Sequence, residues 1–391
     1  SMARAIPDWP SLASRTSNAP NCSSLGNVVN VLVWSQVAVT SLWAAAEAWR
    51  ARRSRDEPGG GQTHAVDAPP ALVRTAEHNG APHEAHVQVS RACPLPCPSC
   101  HVDPSPSGGV VPVEVLDARF AELAAKGVFH VALGGGEALA HPQLEDLARR
   151  ARAHGLSTGL TTSGRGRLTA ALAFDQVNVS LDGLGERYVA ARGYDGANDA
   201  LHAIRWLADG GAHVGVNIVL QRDTFDGLDA TVAAAVAAGA RDIPLLRLKP
   251  AGRAAATYQD QRLSARQAMA VWPVLLRLLD DHPGVTFRVD CAMTPFLAAH
   301  GVDPTRMAAF GWTGCHGGDA LLAVDVEGRS TPCSFVRSAV TPRWRQRPDA
   351  APCNRCAYAD ACRGGCHAVS LHTTGELFAP DPECPIVLAA S

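Results

Sequence analysis

His86-Val87-Gln88-Val89-Ser90-Arg91-Ala92-Cys93-Pro94-Leu95-Pro96-Cys97-Pro98-Ser99-Cys100 joins a short apolar run to three cysteines on one loop. Residues 86–90 have the length and composition of a strand. Three thiolates hold three irons of a four-iron cubane and leave the fourth iron to a non-protein ligand, whereas a fully ligated cluster would only store or relay electrons. A zinc site wants four ligands in tetrahedral order and gives no reason for a missing one, although by spacing alone the loop fits zinc equally well.

Outward from this loop the chain alternates short apolar runs with helical patterns. Strands are predicted over residues 129–133, 156–161, 176–181, 213–220 and 243–248, with helices over 114–126, 142–154, 197–209 and 225–238. Strand–helix alternation of this kind builds right-handed βαβ units on a parallel sheet, here about six units that close only part of a barrel. In such folds the chemistry sits at the C-terminal ends of the strands. The second strand ends in Leu133-Gly134-Gly135-Gly136-Glu137, where glycines admit a ligand close to the backbone and a carboxylate can accept from an ammonium group. Thr161-Thr162-Ser163-Gly164 ends the third strand, and Val179-Ser180-Leu181-Asp182-Gly183 ends the fourth. Asp182-Gly183 also reads as a plain turn, and Asn217 on the fifth strand as a buried side chain bonded to backbone.

These motifs together resemble those of the radical S-adenosylmethionine (SAM) enzymes, which carry CxxxCxxC after the first barrel strand and GGE after the second. The resemblance implies a partial (β/α)6 TIM-like barrel over residues 85–290. It also implies a [4Fe-4S] cluster on Cys93, Cys97 and Cys100, whose open iron is chelated by the methionine amine and carboxylate of SAM. One electron then splits the sulfonium to give a 5'-deoxyadenosyl radical. Carried over residue by residue, Gly134, Gly135, Gly136 and Glu137 would serve the methionine amine, and Thr162 and Ser163 belong to the same cofactor site. Ser180 would touch SAM, Arg192 would grip its carboxylate, and Leu246 and Leu248 would pack on adenine. The family often has an aromatic residue before the third cysteine, and here it is Ser99, so shielding of the cluster falls to other residues.

A last barrel helix and strand are predicted over 264–281 and 285–289, after which Gly, Pro and Cys dominate. That pattern is of a domain built around metal rather than apolar packing. Cys315, Cys333, Cys353, Cys356, Cys362, Cys366 and Cys384, with Gly328 between the first two, match the order and spacing of the SPASM domain, an extension of radical SAM enzymes that mostly modify peptides and proteins. The resemblance implies two auxiliary iron–sulfur clusters in residues 291–391. Cys315, Cys333 and Cys366 would hold the first, and Cys353, Cys356, Cys362 and Cys384 the second. Cys291 is the remaining cysteine near enough to complete the first cluster; the alternative is a buried free thiol.

The composition narrows the classes further. The 12 cysteines would suit a disulfide scaffold, but such proteins are small, and in a chain of 391 residues with close CxxC pairs they point to metal. A net charge of -2 lacks the basic footprint of nucleic-acid binding. Residues 1–84 form an extension of unknown role, in which residues 28–46 carry no charge and repeat Trp34, Ala38 and Leu42 at helical spacing. They are expected to form a packed amphipathic helix rather than a membrane span. Ser1-Met2 reads as a cloning remnant, and Cys22 as an inert thiol.

The expected function is maturation of a ribosomally made precursor peptide by hydrogen abstraction, installing a crosslink or thioether. An external flavodoxin- or ferredoxin-type donor, a cytoplasmic location and no membrane partner are expected with it. The alternatives are a sulfatase-maturing enzyme, disfavoured because Ser334 stands where those relatives carry an aspartate after the second domain cysteine, a small-molecule radical SAM dehydrogenase, and an electron-transfer protein without SAM chemistry.

Overall fold

The computed structural model describes residues 31–33, 82–304, 307 and 314–390; expectations for residues 1–30 and 34–81, Cys22 among them, lie outside the described residues. Among the described residues ten strands form one sheet: β1 (Val31–Val33), β2 (Glu84–Ser90), β3 (His130–Gly135), β4 (Ser157–Thr162), β5 (Gln176–Ser180), β6 (Val214–Leu220), β7 (Asp242–Arg247), β8 (Thr286–Val289), β9 (Leu321–Val324) and β10 (Ser330–Thr331). Their order is β1-β8-β7-β6-β5-β4-β3-β2-β9-β10. From β2 to β8 each strand pairs in parallel with the next in sequence. This is the partial barrel that strand–helix alternation predicts, with the strands' C-terminal ends gathered on one rim.

The connecting helices Val113–Ala125, Leu144–Ala153, Ala197–Asp209, Leu228–Ala237 and Ala265–Asp281 fall within three residues of the predicted ones. Each turns a stripe at helical spacing onto the sheet, such as Leu116, Phe120 and Leu123, or Ala200, Ile204 and Leu207, and these stripes belong to one continuous core. The longest helix starts at a capping box in which the Ser264 hydroxyl accepts from the Gln267 amide and the Gln267 side chain accepts from the Ser264 amide. No described helix is long and apolar enough to cross a membrane.

One expectation is corrected. Val31–Val33, near the start of the expected helix over 28–46, is a strand that pairs in parallel with β8, Val31 opposite Phe287 and Val33 opposite Val289. The Val-Leu-Val triplet suits a pleated surface, and the open edge of β8 offers it unpaired backbone groups.

The cysteine-rich segment does not stand apart from the sheet. β9 pairs in parallel with β2, Glu84 opposite Leu321, and β10 turns back antiparallel on β9. Gly328 takes a φ of +86° in the turn between them. That hairpin is clamped from the barrel side by Arg119, which donates to the carbonyls of Asp325 (3.2 Å) and Val326 (3.0 Å).

A second joint lies at the end of β7. Arg247, 3% exposed, donates through Nη1 and Nη2 to Asp381 at 2.6 and 3.0 Å and through Nη2 to Glu383 at 2.9 Å. Tyr258 and Arg262 also donate to Glu383, at 2.6 and 3.1 Å. Burial disfavours the guanidinium's charge, but Asp381 and Glu383 outweigh it and hold Arg247 firmly protonated. Removing one partner of such a buried group leaves the other's charge uncompensated. Arg247→Ala is therefore expected to cost about 3 kcal/mol or more, read as a lower midpoint in denaturant unfolding.

Candidate active site at the open end of the barrel

The three cysteines after β2 sit on a loop held from two sides. On one side the end of β3 lies against it: the amides of Gly136 and Glu137 donate to the carbonyls of Ser90 (2.7 Å) and Ala92 (2.8 Å). A Cβ on Gly135, whose φ is +124°, would lie 2.4 Å from Ser90 O, and one on Gly136 would lie 2.3 Å from Ala92 O. These two glycines thus permit a backbone-to-backbone approach. Gly134 is different, for a Cβ there would meet nothing within 4 Å. On the other side Arg253 donates to the carbonyls of Cys97 (2.9 Å), Pro104 (3.1 Å) and Leu95 (3.3 Å), and the Ala254 amide to that of Cys100 (3.3 Å).

Glu137 is 4% exposed, and its carboxylate is engaged within the protein. Oε1 accepts from the Leu139 amide (3.0 Å) and the Thr162 hydroxyl (2.6 Å). Oε2 accepts from the Ser163 amide (2.9 Å) and hydroxyl (2.6 Å). With these bonds Glu137, Thr162 and Ser163 lock the ends of β3 and β4 together at the cavity wall.

Arg192 closes a helix, Glu186–Arg192, behind the loop. Its Nε stands 2.6 Å from Asp182 Oδ2 without hydrogen-bond alignment, and Asp182 Oδ1 accepts from the Val219 amide at 2.7 Å. Burial opposes the guanidinium's charge, and Asp182 overcomes it and keeps the group protonated. Burial raises the Cys97 thiol, and the nearby Arg192 guanidinium works against that rise. Asp182 is therefore more than a turn residue, because it aims the arginine. Ser99 donates to Gln221 Oε1 at 2.9 Å, which ties the loop to the segment after β6 where an aromatic ring was absent.

All of these residues face one cavity of about 300 Å³. Gly134, Gly135, Gly136, Glu137, Thr162, Ser163, Ser180, Arg192, Leu246 and Leu248 line it, as do Cys93, Cys97 and Cys100. So do Cys291, Cys315, Cys333 and Cys366. Cys353, Cys356, Cys362 and Cys384 surround a second, smaller cavity. All eleven described cysteines are free, so the disulfide alternative finds no bridge among them. Among the described residues no three His, Cys, Asp or Glu converge on one ion. Thiolates around a cubane each bind a separate iron and so stand apart.

Burial dominates the thiols. It pushes Cys291 up to about 12, helped by Asp290, and Cys366 and Cys353 up to about 11. For Cys315, raised well above the ordinary range by burial, the next causes are Cys291, Cys333 and Cys366. Metal must displace these protons when it binds.

Three features fit SAM on an iron–sulfur cluster: three thiols on the cavity wall, open space over Gly134, and the buried Asn217 Oδ1, which has no hydrogen-bond partner and faces the same space. Arg253, Lys249, Asp290 and His86 were not read as site residues from the sequence. Nothing in their local pattern marks them, since only the folded chain shows which of their side chains reach the cavity.

A parallel partial barrel whose rim carries three free thiols defines an iron–sulfur enzyme of the radical type. The family model of the radical SAM superfamily matches residues 87–235. The mycofactocin maturase MftC of Mycobacterium ulcerans is 30% identical over 353 residues, covering 81% of this chain and 92% of the relative. The PqqA peptide cyclase of Ruegeria pomeroyi is 26% identical, covering 78% and 87%. Among solved structures, Streptococcus suis SuiB bound to its precursor peptide SuiA is similar in fold, with a TM-score of 0.63 at 13% identity, over 90% of this chain and 89% of that one. The chain belongs to the radical SAM superfamily. It is an enzyme with a cysteine-rich region at its C-terminal end, and membership of the family implies SAM bound on a [4Fe-4S] cluster.

The loop anchorage is open to test. Arg253→Ala removes side-chain bonds contributing about 1 kcal/mol each. Amide hydrogen exchange at Cys93 and Cys100 is expected to quicken at least about tenfold, with exchange in β6 unchanged.

Proposed function

We propose that this chain matures a ribosomally made peptide, removing hydrogen from a side chain and closing an oxidative bond there. The observation that carries the reading is the single cavity shared by the SAM-type cysteine loop and the four cysteines Cys291, Cys315, Cys333 and Cys366. A reacting carbon held between them lies within reach of both. The relatives lend support, since one is named a peptide cyclase and another a maturase.

When bound, SAM and its cluster supply the 5'-deoxyadenosyl radical. The chain's own residues do the rest: Cys93, Cys97 and Cys100 hold the cluster, and Arg192, aimed by Asp182, meets the methionine carboxylate. Leu246 and Leu248 cover the adenine. Cys315, Cys333, Cys366 and Cys291 hold one auxiliary cluster, and Cys353, Cys356, Cys362 and Cys384 the other. Residues 85–290 are the barrel part and residues 291–391 the auxiliary-cluster part, residues 1–84 being an extension of unknown role, and the electron donor is of flavodoxin or ferredoxin type.

The test is incubation of reconstituted protein with SAM, a strong reductant and short peptides encoded beside its gene. Expected are 5'-deoxyadenosine and a peptide lighter by two hydrogens; cleavage of SAM with every peptide unchanged would count against the reading. Cys93→Ala, Cys97→Ala and Cys100→Ala are each expected to abolish 5'-deoxyadenosine while leaving the iron of two clusters.

Cys291 has a separate test, in protein lacking those three cysteines. Cys291→Ala is expected to alter the iron content and cluster spectrum, because it opens one iron. Identical iron and spectra would make Cys291 a buried thiol.

A further inference from the structure

Strand alternation sends Glu84, His86 and Gln88 to the same face of β2, and that face is cavity wall. His86 Nε2 lies 3.1 Å from Glu84 Oε1, and His86 Nδ1 lies 3.1 Å from Ser334 Oγ. An ionised carboxylate only accepts, so the proton of the neutral ring sits on Nε2. Nδ1 is then an acceptor, and the Ser334 hydroxyl donates to it. Burial works against the charge of Glu84, but the bond from His86, with the Arg288 guanidinium nearby, outweighs it and holds the carboxyl below its ordinary range.

The chain Ser334–His86–Glu84 is graded in access. Ser334 is half-buried at the cavity, His86 is 20% exposed and Glu84 5%. It also lies between the two cysteine sets. Ser334 follows Cys333, and its other neighbour, Phe335, packs at 4.9 Å on His101, the residue after Cys100. A purely structural bond between β2 and the C-terminal segment has no need of a carboxylate shut away behind the imidazole.

We propose that Ser334, His86 and Glu84 are the proton-accepting site of the peptide oxidation, an inference that rests on the maturation reading. Closing a bond between a substrate carbon and a heteroatom removes two hydrogens. The first leaves carbon as an atom and completes the methyl group of 5'-deoxyadenosine. As the carbon radical bonds to the heteroatom, the heteroatom–hydrogen bond breaks, one electron passes to an oxidised iron–sulfur cluster, and one proton remains. That proton moves to Ser334 Oγ while the serine's own proton moves to Nδ1 of His86, leaving an imidazolium against the Glu84 carboxylate.

The test uses the reconstituted holoenzyme with SAM, reductant and the peptide that the parent protein modifies, and reads modified peptide per 5'-deoxyadenosine. Losing a general base costs about a hundredfold or more, so the ratio is expected to fall by about that factor in His86→Ala and in Glu84→Gln. Added imidazole is expected to restore part of it in His86→Ala, a rescue that a structural role does not give. An unchanged ratio in both variants overturns the relay and leaves the maturation reading standing. A parent protein that cleaves SAM and modifies no peptide sinks the maturation reading instead. In that event nitrogen NMR of histidine-labelled holoenzyme decides the relay, with a bare, hydrogen-bonded Nδ1 expected whose resonance moves in Ser334→Ala. A protonated Nδ1 on His86 overturns it.

Discussion

A guanidinium enclosed by protein has to meet carboxylates there, and Arg247 at the end of β7 meets two, Asp381 and Glu383. The contact joins a barrel strand to residues more than a hundred positions later, and the rest of the site depends on it. Asp381 in turn accepts from the Cys366 amide at 2.9 Å, which fixes the backbone of a cysteine that lines the main cavity. Asp381 and Cys384 also border the smaller cavity, so one buried carboxylate positions parts of both cysteine sets. Desolvating the charges of such a group offsets much of their attraction, so its worth lies less in net stability than in the cost of leaving one partner unpaired. Leu246, Arg247 and Leu248 all border the cavity, and Arg247 also reaches the later segment.

The cysteine loop shows the same economy of support. Its carbonyls at Cys97, Pro104 and Leu95 accept from Arg253, and its approach to β3 requires that residues 135 and 136 lack side chains. Glu137 then ties β3 to β4 through Thr162 and Ser163. Fixed positions of this kind let three thiols bind a cluster without rearranging the rim, which matters because burial raises the protonation of the thiols and metal must overcome it.

The hairpin of β9 and β10 completes the cavity from the opposite side. By extending the sheet at β2 it brings Ser334 to His86, and with Phe335 it covers the space over His101. Lys249, 4.6 Å from the Phe335 ring and paired with Asp290, fills the wall between this hairpin and Cys291. The wall therefore combines residues of the barrel with residues of the cysteine-rich segment.

The sequence by itself determined the local elements and the chemistry they carry. Apolar periodicity is a short-range property, so the parallel strands and their helices were legible, as were the cysteine spacings and the glycine run, which hold their meaning within a few residues. Tertiary structure alone decided what those groups face. The pairing of Arg247 with Asp381, the bond from Thr162 to Glu137, the aiming of Arg192 by Asp182 and the bond from Ser334 to His86 join positions between 10 and 248 residues apart. No local pattern encodes such contacts, because they form only when the sheet has closed and burial compels each polar group to find a partner. The strand Val31–Val33 makes the same point in the other direction: its own residues allowed a helix, and the open edge of β8 made it a strand.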